Sequence, residues 1–221
     1  MTNVLASVKQ NPKIKKYFDS LKFAFYCMTH PIDGFWDLTH EHRGTMAAAN
    51  TILILTLITR IMKLRYTSFI MLRVNWERIN IFLYLASILF PMALWVVGNW
   101  ALTTLFDGKG RLNQVYMATC YGMLPYVVIQ LPLMAFSNVV TTDEAEFYSV
   151  VSAISLVYCA LLIISGMAQI HEYSGAKNIL FTIATLFAML VMIFILALFF
   201  SMISQGVAYF ISLGKEMLFR L

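Results

Sequence analysis

The chain reads as an all-α, polytopic membrane protein: five transmembrane helices preceded by an amphipathic helix at the membrane interface. Three observations predict this class. Hydrophobic residues make up 60% of the 221 and charged residues only 12%, about half the roughly 25% of an ordinary soluble domain. The mean hydropathy is +0.75. Five long apolar stretches lie between residues 46 and 210, most of them near or above the roughly 20 residues a helix needs to cross the hydrocarbon core. The alternation suited to a lipid-facing barrel is absent, which leaves helices as the way to satisfy backbone polar groups inside lipid.

The first span is expected at about 46–62 and ends in a basic cluster, Arg60, Lys63 and Arg65, whose long stems can snorkel to the interface. The second, about 79–106, carries Pro91 in its interior, so a tilt or kink is expected. The third, about 115–136, holds Pro125 and Pro132. The fourth, about 147–170, follows Thr141-Thr142-Asp143-Glu144, where Thr141 and Glu144 have capping-box spacing. The fifth, about 179–210, is nearly uninterrupted apolar sequence.

Residues 1–29 form a separate basic segment ahead of a membrane domain at 30–221. The first 45 residues lack the apolar core of a cleavable signal peptide. Asn11-Pro12 reads as an N-cap followed by proline at the first helical position. Ile14, Phe18, Leu21, Phe25 and Met28 then recur at helical spacing, with Lys13, Lys15, Lys16 and Lys22 mostly off that stripe. The pattern fits a helix lying on a bilayer with anionic headgroups. It also fits a helix packed on the rest of the protein. The net charge of +5 sits beside spans rather than on a soluble module, so nucleic acid is not an expected partner.

Five spans put the termini on opposite sides. With the N-terminus inside, that side carries nine basic residues (Lys9, Lys13, Lys15, Lys16, Lys22, Arg43, Lys109, Arg111, Lys177) and the other seven (Arg60, Lys63, Arg65, Arg73, Arg78, Lys215, Arg220). The positive-inside rule then places the N-terminus in the cytoplasm. The loop from Arg60 to Arg78 is the counterweight, and it could lie in the interface with Phe69 and Trp76 dipping into lipid. Cys27, Cys120 and Cys159 form neither a disulfide framework nor a zinc motif.

Polar chemistry collects in three segments on the N-terminal side. They are HPIDGFW at 30–36 with HEHRG at 40–44, GNW at 98–100 leading to DGKG at 107–110, and HEYS at 171–174 with Lys177. Asn99 lies about two turns below the interface and must find a partner on another helix or line a wet cavity. Interhelical glue is favoured over ligand contact. In DGKG, Gly108 and Gly110 permit a tight turn with positive φ around Asp107 and Lys109. An anion nest is the sharper alternative, but the P-loop pattern is missing. His171-Glu172 is the titratable cluster at the end of the fourth span, a functional candidate by position. Glu172 has Lys177 and Lys109 as simple ion-pair partners. His40 and His42, two residues apart, point to different helix faces, and no metal or other cofactor is expected. Tyr121 and Pro125, one turn apart, could bring a hydroxyl and a freed carbonyl to one face. Ser174 near His171 lacks a nucleophile-elbow context, and HExxH is absent, so no enzyme activity is expected.

The blocks HPIDGFWDL, GNWALTTLFDGKG followed by YGMLPY, and QIHEYSGAK resemble, in order and spacing, the bacterial branch of the Yip domain family from about His30 to the C-terminus. The resemblance implies a five-helix membrane domain with a cytoplasmic N-terminal segment in a bacterial cytoplasmic membrane. Eukaryotic members bind small Rab-type GTPases. Their long cytosolic region and DLYGP-like segment are missing here, and HPIDGF stands in its place. The positions that match the family are Pro31, Gly34, Asn99, Trp100, Asp107, Gly108, Gly110, Tyr121, Pro125, His171, Glu172, Tyr173 and Lys177. The leading expectation is a non-enzymatic scaffold or accessory subunit of a membrane, and specifically a transport, complex. Its partners would be anionic lipid, another membrane protein, or further copies of the chain. The alternative is a small-solute or ion transporter or channel that uses Asn99, Asp107, His171 and Glu172, although the chain shows no internal repeat of the transporter kind.

Overall fold

The computed structural model describes residues 12–71, 79–106, 108–141 and 144–219, and every regular element among them is a helix. In chain order these are α1 (Pro12–Thr29), α2 (Pro31–His40), α3 (Met46–Tyr66), α4 (Ile81–Leu105), α5 (Leu112–Gly122), α6 (Leu124–Phe136), α7 (Ala145–His171) and α8 (Gly175–Phe219). Five helical segments are long and apolar enough to cross a membrane: α3, α4, α5 continued by α6, α7 and α8. The expected spans are therefore present, four of them somewhat longer than their apolar stretches and the second slightly shorter.

Local chemistry explains several of the boundaries. Thr45 caps α3 by accepting from Ala48 N, and Asn80 caps α4 by accepting from Phe82 N and Leu83 N. α4 runs unbroken through Pro91. The third span breaks at Met123, one residue before α6 opens with Pro125 in its first turn, where the missing N–H costs no helical bond. Ahead of α7 only half of the expected capping box forms. Glu144 accepts from Thr141 N at 3.4 Å, whereas α7 begins without a side-chain cap.

The N-terminal segment does more than lie on a surface. α1 and α2 form a helical hairpin that crosses closely at Gly34, where an added Cβ would stand 2.7 Å from Cys27 Cα. The sequence marks Pro31 and Gly34 as a structural turn or kink; Gly34 serves a helix crossing instead, and Pro31 opens α2. Ser20 Oγ bonds Tyr121 Oη at 2.6 Å and accepts from Thr45 N at 2.9 Å. Tyr17 Oη meets Thr51 Oγ1 at 2.8 Å. At the tip, Tyr158 at the midpoint of α7 donates to Met28 O. Phe23, Ala24 and Cys27 are buried, while Phe18 and Phe25 of the expected stripe remain exposed. The apolar stripe and the packed face are therefore neighbouring but different faces of α1. Lys15, Lys16 and Lys22 are exposed; the Lys13 side chain and Asn11 lie outside the described residues.

Arg60 and Lys63 do not snorkel outward. The Arg60 guanidinium lies 4.4 Å from the Tyr84 ring centre, and Lys63 Nζ donates to Ser152 Oγ at 2.9 Å. Only Arg65 of that cluster is exposed. Residues 72–78, which hold Trp76, Arg73 and Arg78, lie outside the described residues.

Candidate functional site

The end of the bundle nearest the hairpin gathers most of the polar residues singled out in the sequence. His171, on the last turn of α7, is buried. Its Nδ1 accepts from Gly110 N at 3.2 Å, and its Nε2 lies 3.0 Å from Asn99 Oδ1. That pattern assigns the proton to Nε2, which donates to the amide oxygen. Asn99 Nδ2 in turn donates to Thr185 Oγ1 on α8 at 3.2 Å, and Thr185 donates to Phe181 O at 2.7 Å. The relay ties together the 108–111 loop, α7, α4 and α8. Each side-chain donor in it meets an acceptor, as glue inside a membrane protein must.

The DGKG loop works by close approach. No glycine among the described residues has positive φ, so the tight left-handed turn expected there does not form. An added Cβ at Gly110 would stand 2.5 Å from His171 Cε1 and from Ile170 Cγ2. At Gly108 it would meet Thr103 Cβ at 2.7 Å and Tyr173 Oη at 2.9 Å. The glycines let the loop lie against α7 and the end of α4, where Gly108 N donates to Thr103 O at 2.8 Å. Asp107 lies outside the described residues.

Glu172 takes the positive φ instead, at 53°. A non-glycine residue in that region carries strain, and here the turn swings the carboxylate towards Lys109 and His40. Lys109 Nζ donates to Glu172 Oε2, and His40 Nε2 lies 3.5 Å from Glu172 Oε1. The hydrogen bond from Lys109 holds the Glu172 carboxyl below its usual range, with a further contribution from His40. The pair joins α2 to the two loops. Lys177 does not join it; its ammonium lies 4.3 Å from the Tyr173 ring centre, and Tyr173 stacks on His171 at 5.3 Å.

Two expected members sit elsewhere. Tyr121 is bound to Ser20 and the start of α3, so it holds the hairpin rather than facing His171. Trp100 is partly exposed, one residue round the helix from Asn99, and its carbonyl accepts from Thr104 Oγ1 at 2.6 Å. Cys27 is buried beside Gly34, and burial pushes its thiol up to about 12, which leaves it an unreactive packing group. Sequence reasoning missed Thr185 and assigned His40 no role. Thr185 had a faint signal, a hydroxyl within an otherwise apolar run. His40 had none, because only the tertiary fold brings α2 beside Glu172.

On the outward face of α2, Ile32, Trp36 and His40 form an exposed stripe at intervals of four. Trp36 stacks on His40 with ring centres 3.7 Å apart. The result is an apolar and aromatic ridge with a charged end, mounted on a framework fixed from below.

The fold defines a multi-pass helical membrane protein with a polar, hydrogen-bonded platform at one end. The chain belongs to the Yip1 domain family, whose pattern matches residues 25–199. That match includes the α1–α2 crossing and all three polar segments. No curated protein and no solved structure matches the chain significantly.

Proposed function

We propose that the protein is a non-enzymatic scaffold or accessory subunit of a membrane transport complex, and that it docks its partner on the platform formed by α2, the 108–111 loop and the 172–177 loop. One observation carries this reading. The exposed Ile32–Trp36–His40 ridge ends in the Glu172–Lys109 pair, so an aromatic anchor and a charged rim stand side by side on a rigid base, the usual layout of an interaction hot spot. The basic residues Lys15, Lys16 and Lys22, beside exposed Phe18 and Phe25, suit contact with anionic lipid at that face.

A cytoplasmic N-terminus in a bacterial inner membrane fits the charge distribution better than a count of sequence positions suggests. Arg60 and Lys63 belong to α3 and turn into the bundle. Only five basic residues then remain for the opposite side, against nine on the N-terminal side. The transporter reading has less support. Asn99, His171 and Thr185 satisfy one another, and a conduction or coupling site needs groups free to bind.

The test is purification from native membranes in mild detergent, with quantitative mass spectrometry of the wild type, Trp36→Ala and Glu172→Lys. The expected result is a stoichiometric membrane-protein partner that is depleted at least tenfold in both variants, a loss of about 1.4 kcal/mol or more. Equal recovery from all three proteins would remove the docking claim. Flux through reconstituted wild-type vesicles that His171→Ala abolishes would favour transport instead.

A further inference from the structure

At the opposite end of the bundle, α3 and α6 finish while α4 and α7 begin, and there a second polar cluster has a different character. Arg60 and Lys63 stand three residues apart, on one face of α3. Lys63 Nζ shares Ser152 Oγ with Gln130 Nε2, which also donates to Ser155 Oγ at 2.7 Å. Tyr84 lies among Arg60, Tyr126 and Tyr148. Gln130, Tyr126 and Tyr148 are buried, at 0%, 5% and 6% exposure. Among the described residues, five buried polar atoms in this region have no hydrogen-bond partner: Arg60 Nε, Thr67 Oγ1, Tyr126 Oη, Gln130 Oε1 and Tyr148 Oη. The Thr67 and Tyr148 hydroxyls are neighbours but do not reach bonding geometry with each other.

The charge balance is equally uneven. Among the described residues, neither Arg60 nor Lys63 has a carboxylate within ion-pair distance. Among the described residues, the acidic ones at this end, Glu144 and Glu146, are exposed, and Glu144 accepts from Thr141 N; Glu77 and Asp143 lie outside the described residues. Two like charges at i, i+3 repel, and cations inside a membrane helix ordinarily find a counter-charge. Snorkelling would have relieved both, yet both turn inward over tyrosine rings. Gathered guanidinium, ammonium and phenol donors are the set that recognises phosphate oxygens.

We propose that this cluster is a binding site for a phosphate group at the membrane face opposite the N-terminus. Arg60 and Lys63 supply the charge, and the Tyr126 and Tyr148 hydroxyls reorient to donate. A lipid headgroup and free phosphate share that chemistry. The site is separate from the platform at the other end and does not depend on it.

The experiment measures thermal unfolding of the full-length purified protein in neutral detergent. One arm titrates inorganic phosphate, and the other titrates micelles doped with phosphatidylglycerol. The expected result is a saturable rise in Tm in at least one arm. A response to inorganic phosphate identifies free phosphate as sufficient, and a response to phosphatidylglycerol alone identifies the headgroup as the source. Arg60→Gln/Lys63→Gln should raise the half-saturating concentration at least tenfold, whereas Arg65→Gln, which removes an exposed cation of the same end, should leave it within twofold. Tyr126→Phe/Tyr148→Phe keeps both charges and the packing, should weaken the response several-fold, and serves if the charge variant fails to fold. No saturable shift in the wild type would overturn the proposal. So would an equal loss in Arg65→Gln, which would mark diffuse surface attraction, or full retention in both double variants.

Discussion

The two ends of the bundle solve the same problem in opposite ways. Around His171 every side-chain donor of the relay has an acceptor, and the charged pair of Lys109 and Glu172 is balanced. Around Arg60 and Lys63 there are two inward cations, no paired carboxylate among the described residues and several hydroxyls left without partners. Polar residues in lipid are costly in either place. Matched, they act as glue and hold loops to helices. Unmatched, they are tolerable only where something else completes them. The comparison separates a structural polar network from a ligand-binding one without reference to residue type.

Substitution at the two ends should therefore differ in cost. His171→Ala leaves Asn99 Oδ1 and Gly110 N without partners and opens a cavity beside α4. It should destabilise the protein by about 2–4 kcal/mol, read by reversible unfolding in mixed micelles. A cost below about 0.5 kcal/mol would mean that the relay is not the glue described.

Gly110→Ala should cost about 1–3 kcal/mol, because its Cβ meets the His171 ring and Ile170. The same measurement reads it, and the combination with His171→Ala should be less than additive if both act on one contact. Strict additivity would separate the loop from the relay.

At the other end, Arg60→Gln/Lys63→Gln should change stability by less than about 1 kcal/mol in ligand-free detergent and could raise it, since like charges are removed. A loss as large as that of His171→Ala would show that the cations are structural, and the contrast between the ends would collapse.

The smallest effect belongs to Glu172→Gln, because a solvent-screened ion pair contributes little to stability. Its pH dependence has a definite sign. The Glu172 carboxyl lies below its usual range in the folded protein, so its contribution is full above the ordinary carboxylate value, about 4.3, and fades as the pH falls through the lowered one. A spin-label distance between the exposed positions 41 and 176 should stay constant from neutral pH to about pH 5 and broaden only below the ordinary carboxylate value. Broadening already near pH 6 would point to another group.

Much of the fold could be read from the chain because lipid imposes a strong, local rule: a long apolar run must be a helix. The spans, the break near Pro125 and the need for Asn99 to find a partner all follow from residues close in sequence. The site was only half readable. The sequence brought forward Asn99, His171, Glu172 and Lys109, and the fold does gather them. It could not reveal that Thr185, 86 residues beyond Asn99, completes the relay, or that His40 reaches Glu172. It also suggested the wrong role for Gly108 and Gly110, which permit close contacts rather than left-handed turns.

By itself the sequence determined the class, the number of spans and the family, because hydrophobic length and motif spacing are properties of consecutive residues. The tertiary structure alone decided which polar groups are spent on one another and which remain unmatched. It turned Arg60 and Lys63 inward, where the sequence pattern suited outward snorkelling, and it packed one face of α1 where a surface helix was equally consistent with the spacing. Both outcomes depend on which neighbours lie within about 3 Å, the reach of a hydrogen bond, and that is set by helix packing rather than by any stretch of the chain alone.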